Sequence, residues 1–144
     1  MNVKADKMRY QTNKLAYFLV LLGLAISILA LFSMITPRTI VPDFSIAVEI
    51  LINIVLMLLT FLAAERCKYY SLNWAITLFV IAGIHILRIF YVPTKLVVAS
   101  MLTGGQYALI VGYLVVSAAL LVMAGIITVQ RHHVLAKHLK EIGV

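Results

Sequence analysis

Residues 15–36 read LAYFLVLLGLAISILALFSMIT, a run with no charged side chain. A helix of that length is about 33 Å long, enough to cross a hydrocarbon layer roughly 30 Å thick. The run is longer than the apolar part of a secretory leader, and no A-x-A site closes it, so it is expected to remain as a membrane anchor. Pro37 follows and is expected to end the helix, because proline has no N–H for the ladder.

Comparable runs recur along the chain. Span two is expected at about 44–64, span three at about 72–92 and span four at about 106–129. Short connections separate them: Pro37 to Asp43, and Glu65-Arg66-Cys67-Lys68-Tyr69-Tyr70-Ser71. Asp43 or Ser45 is a suitable cap for span two, and Ser71 or Asn73 for span three. Tyr69, Tyr70 and Trp74 suit an interfacial aromatic belt. Pro93 is read as the end of span three. Between Lys95 and Gln130 no residue is charged. As one helix, that stretch would be about 54 Å long. Gly104-Gly105 is the natural break, which makes 94–103 a short outer interfacial or re-entrant helix. The tail, 130–144, continues span four with Val134, Leu135, Leu139 and Ile142 at helical spacing.

The expected fold is therefore all-α, a four-helix bundle integral to the membrane and forming a single domain over 1–144. Composition agrees: 64% of the 144 residues are hydrophobic, well above the roughly 45–50% of soluble domains. The net charge of +7 matters through its placement. Lys4, Lys7, Arg9, Lys14, Arg66, Lys68, Arg131, Lys137 and Lys140 fall on one side of the spans, and Arg38 and Lys95 on the other. The positive-inside rule puts both termini in the cytoplasm. The basic residues flank apolar runs, which argues against nucleic acid as a partner. Arg131, Lys137 and Lys140 are positioned to meet anionic lipid headgroups. The single cysteine, Cys67, excludes an intramolecular disulfide and reads as a reduced thiol in a cytoplasmic loop.

Ionisable groups within a span are costly and point to a reason for their presence. Span two carries Glu49 and Asn53, an i,i+4 pair, and span three carries His85 and Arg88, an i,i+3 pair. From the expected outer ends, Glu49 lies about 8 Å deep, Asn53 about 14 Å, Arg88 about 6 Å and His85 about 11 Å. The four are expected to converge in the outer leaflet, with Glu49 paired to Arg88. Such a group is either a polar clamp between spans two and three or a site for a ligand or partner. A proton relay through Glu49 and His85 lacks further groups, since spans one and four carry no acid, base or lysine.

No cofactor or metal is expected. His85 is the only histidine within a span, and haem held between helices commonly takes two ligands. His132, His133 and His138 lack the spacing of a tight helical metal pair. Gly23 and Ser27 on span one and Gly112 on span four are expected to permit close helix contacts. No catalytic motif, soluble domain or continuous polar stripe is present. These readings favour a small non-catalytic accessory or scaffold subunit of a membrane complex, surrounded by lipid and joined to partner subunits or to copies of itself. The competing reading is a homo-oligomeric transporter or channel with an outward polar site. A bacterial plasma membrane is the expected location.

Overall fold

The computed structural model describes residues 3–38 and 43–143, apart from the side chain of Arg38. Five α-helices are formed: α1 (Val3–Met8), α2 (Lys14–Ile35), α3 (Phe44–Cys67), α4 (Leu72–Val98) and α5 (Gly104–Glu141). No strand occurs among the described residues. The four long helices are each long and apolar enough to cross a membrane. Residues 39–42 of the expected turn-like connection after Pro37 lie outside the described residues.

The boundaries follow from local chemistry. α2 stops at Ile35, and Pro37 sits in a single 3-10 turn, Thr36–Arg38. Asp43 is the N-cap residue of α3, and Ser45 Oγ donates to its Oδ2 at 2.8 Å. Ser71 occupies the N-cap position of α4 without a capping bond from its side chain.

Pro93 does not end α4. A proline inside a helix leaves the carbonyl four residues back without its N–H and costs about 3 kcal/mol or more. Here the Thr94 hydroxyl donates to the Ile89 carbonyl at 3.1 Å and supplies the missing donor. Side-chain hydroxyls are a recognised means of carrying a membrane helix through proline. The helix then runs one and a half turns further, to Val98.

The separate outer helix expected at 94–103 is accordingly replaced by the end of α4 and a tight connection. Ser100 N–H donates to Val97 O and Met101 N–H to Leu96 O, both at 2.9 Å. With Ser100 at φ +57°, these bonds make a Schellman stop with serine where glycine is usual. α5 begins at once. Gln106 N–H donates to Thr103 Oγ1, and Thr103 N–H donates to Gln106 Oε1, a reciprocal capping box.

The helices form a ring in which α5 packs most extensively, against α4 and α2, while α3 joins α2 and α4 more loosely. Close approach depends on small residues. At Gly23, a Cβ would stand 3.4 Å from the Ser117 carbonyl oxygen of α5, and Ser117 Oγ donates to Gly23 O at 2.8 Å. At Gly125, a Cβ would come within 2.9 Å of the Phe79 ring on α4.

Two apolar clusters fill the interior. One takes Ala16, Val20, Ala63, Ala64, Cys67, Leu78, Ile81 and Leu121, among others, and draws on all four long helices. The other holds Ala30, Met34, Ile89, Val92, Leu96, Leu102, Ile110 and Leu114. It contains no residue of α3.

Candidate functional site

The end of the bundle that holds the basic segments is tied by polar contacts. Asn13, fully buried before α2, donates from Nδ2 to Thr128 Oγ1 at 3.2 Å. Its Oδ1 accepts from Arg131 Nη1 at 2.7 Å, and its backbone N–H donates to Lys68 O at 2.8 Å. One side chain with its backbone thus joins the start of α2, the end of α3 and the emerging part of α5. Tyr70 adds a second tie. It is buried at φ +58°, and its hydroxyl donates to Gln11 O at 3.1 Å. The left-handed backbone costs a non-glycine residue roughly 1–2 kcal/mol, and burial of the ring with this hydrogen bond opposes that cost. His132 Nδ1 lies 2.8 Å from Tyr70 O. His138 Nε2, on a buried side chain, lies 3.4 Å from Asp6 Oδ1 and holds α1 to α5.

These contacts bring α1, the 68–71 connection and the C-terminal part of α5 to one end. They also alter several sequence expectations. Cys67 is the last residue of α3 and is fully buried, rather than a loop thiol. Of the expected aromatic belt, Tyr69 is exposed, Tyr70 is buried and Trp74 packs on the apolar cluster. Arg131 turns inward to Asn13, while Lys137 and Lys140 are exposed. His132 and His133 stack edge to face at 5.9 Å. Among the described residues, no three His, Cys, Asp or Glu side chains are grouped so as to hold a metal ion.

The opposite end has a different construction. A cleft of about 480 Å³ separates α3 from α4, lined by Ser45, Val48, Glu49, Ile52 and Asn53 on one wall and Ile84, Arg88, Tyr91, Val92 and Lys95 on the other. Each set recurs at three- and four-residue intervals, the spacing of one helix face. The gap exists because α3 gives the neighbouring apolar cluster nothing. Its buried residues at this level are Glu49 and Asn53.

Of the four side chains expected to converge, three line the cleft. Asn53 Nδ2 donates to the Glu49 backbone oxygen at 2.8 Å, so this i,i+4 pair is linked from side chain to main chain. Glu49 and Arg88 attract each other electrostatically across the cleft. The ion pairs within the described residues are Arg9–Asp6, Lys68–Glu65 and His138–Asp6, and a direct Glu49–Arg88 contact is not one of them. Arg88 Nη2 is inaccessible to solvent and has no hydrogen-bond partner among the described residues. Further along the same face, Lys95 Nζ lies 3.0 Å from Tyr91 Oη and 4.1 Å from its ring centroid.

His85 does not line the cleft. It is 3% exposed on the buried face of α4, in register with Ile81, Ile89 and Val92, and its Nδ1 has no hydrogen-bond partner among the described residues. The small residues also divide. Gly23 makes the close contact with α5 described above. Ser27 is buried and donates to Leu24 O within its own helix. A Cβ added at Gly112 would meet nothing within 4 Å, and this glycine lies in an open apolar groove beside Ile26 and Val116.

The ties made by Asn13, Tyr70 and His138 are not evident from the sequence. A lone asparagine between a basic leader and an apolar span gives one faint signal, and Thr128 near the end of span four gives the other. Their pairing across more than one hundred residues has no local signature. Comparison of the chain with known protein families, with curated proteins and with solved structures finds no match.

Proposed function

We propose that this protein is a small, non-catalytic subunit of a membrane complex, and that α3 is the helix it offers to its partner within the bilayer. One observation carries the reading. α3 supplies no side chain to the apolar cluster at the end of the bundle away from the basic segments, and it turns Leu51, Ile54, Val55, Leu58 and Leu62 outward. A helix–helix contact in lipid depends on side-chain packing and interhelical polar bonds. α3 has unused surface for the first.

The basic segments share one end of the bundle, and the positive-inside rule assigns that end to the cytoplasm. On this reading both termini are cytoplasmic, the α3–α4 cleft faces outward, and the membrane is a bacterial plasma membrane. Lys137 and Lys140 are then placed to meet anionic headgroups of the inner leaflet.

The test is purification of the full chain in its native membrane, with a photo-crosslinking residue at Leu58 and mass determination of the complex. A stoichiometric foreign membrane protein crosslinked through Leu58 supports the proposal. A homo-oligomer carrying ion flux in liposomes would replace it with the transporter reading. A monomer without crosslinks overturns both.

A further inference from the structure

We propose that the α3–α4 cleft binds an acidic membrane lipid, with its anionic headgroup between Arg88 and Lys95 and the start of an acyl chain along Ile52 and Ile84. The assignment does not depend on the outward surface of α3 having a protein partner.

The first ground is charge. Among the described residues, the cleft walls carry two cations, Arg88 and Lys95, and one acid, Glu49. A lipid with one negative headgroup completes that balance. A zwitterionic lipid brings its own cation and gains less.

The second ground is the state of Arg88. Its Nη2 is shut away from solvent without an acceptor among the described residues. Burying a donor with no acceptor costs about 1–3 kcal/mol, more for a charged group. A phosphate oxygen accepts strongly from guanidinium, at short distance and in fork geometry, once the Arg88 side chain swings its Nη2 into the cleft.

The third ground is shape. On α4, Arg88 and Lys95 are seven residues apart, so their Cα atoms are separated by about 10 Å along the axis. A headgroup lodged between them can be reached by both long side chains. Beyond the cations, Val48, Ile52 and Ile84 make apolar walls, and Val92 lies between the cations. The cleft volume of about 480 Å³ lies within the roughly 300–1,000 Å³ of small-molecule sites. Its rim includes Val48, Ile52 and Tyr91, all exposed on the sides of helices apolar enough to lie in lipid. A chain entering the cleft can therefore continue into the bilayer. A soluble anion would use the cations and leave the apolar walls idle.

The experiment uses the full chain in nanodiscs of phosphatidylcholine with graded amounts of phosphatidylglycerol. Retained lipid is counted by native mass spectrometry after gentle release. The expected result is one retained phosphatidylglycerol per chain, preferred over phosphatidylcholine by about tenfold, the ratio given by 1.4 kcal/mol. Arg88→Gln should bring the preference close to unity, and Lys95→Gln should reduce it. Lys137→Gln with Lys140→Gln, at the other end of the bundle, should leave this single tightly held lipid in place. Arg88→Lys keeps the charge and serves if the glutamine variant does not fold; it should retain a reduced preference.

Equal retention of the two lipids overturns the proposal. So does loss of the retained lipid in the Lys137 and Lys140 variant with Lys95→Gln unchanged. A competing arm adds glycerol phosphate, which has the headgroup chemistry without a chain. If it displaces the lipid at equal concentration, the cleft is a site for free anions and the assignment to a lipid falls.

Discussion

The two ends of the bundle use polar residues in opposite ways. At the basic end, Asn13, Tyr70, Arg131 and His132 spend their polar atoms on main chain and side chains of other segments. These bonds cross the sequence and lock α2, α3 and α5 together. At the far end, Asn53 bonds within its own helix. The apolar packing differs in parallel: α3 enters one cluster through Ala63, Ala64 and Cys67 and is absent from the other. Small side chains let backbones meet, whereas Glu49 and Asn53 hold a gap open. A single helix can thus be anchored at one end and leave a cleft at the other.

The largest expected effect tests that contrast directly. Asn13→Ala removes the bonds to Thr128 and Arg131 and leaves buried groups without partners, so it should cost about 3 kcal/mol. Asn53→Ala removes one bond within a helix and should cost less than about 1 kcal/mol. Unfolding in mixed micelles with increasing dodecyl sulfate measures both, and equal losses would break the comparison.

Next come the helix contacts. Gly125→Val drives a side chain into Phe79 and should destabilise by about 1–3 kcal/mol in the same assay. Gly112→Ala meets no atom within 4 Å, and removing a helical glycine should be neutral or stabilising by up to about 1 kcal/mol.

The four spans were legible because each requires only an uninterrupted apolar run. Their ends were less so. The break expected at Gly104-Gly105 lies just before them instead, because Thr103 and Gln106 spell a capping box that starts α5 at Gly104. Pro93 misled because the rule that proline ends a helix assumes an unsatisfied carbonyl, and Thr94 satisfies it. Depth along antiparallel spans is the reason to expect Glu49, Asn53 and Arg88 near one another, and the three line one cleft. It could not resolve rotation about α4, which turns His85 to the buried face instead. The knot around Asn13 depends on contacts between remote segments, to which periodicity is blind.

A smaller effect concerns Thr94. Thr94→Val deletes the hydroxyl that caps Ile89 O and should cost about 1 kcal/mol, with faster amide exchange confined to the last turns of α4. If exchange quickens equally at the basic end, the two ends are more strongly coupled than their contacts indicate.

The smallest effect is with pH, at the basic end. Burial holds the Tyr70 phenol protonated to higher pH than a free tyrosine, against the opposing charge of Arg131. The hydrogen bond from Lys68 to Glu65 likewise raises the lysine. Both groups bind protons more tightly when folded, so their contribution is complete below about pH 10 and is lost as pH rises through the folded values. Tyr70→Phe should flatten the tyrosine part of that decline in a stability profile from about pH 8 to 11.

Pro93 also has a mechanical consequence. The Thr94 hydroxyl is a side-chain strut in place of a main-chain rung. A main-chain rung is therefore missing from α4 between Arg88 and Lys95, the two cations of the cleft. Flexure at that point changes the distance between them and the width of the opening while leaving the inner part of the helix fixed. The proline that did not end the helix instead divides it into a rigid post and an adjustable jaw.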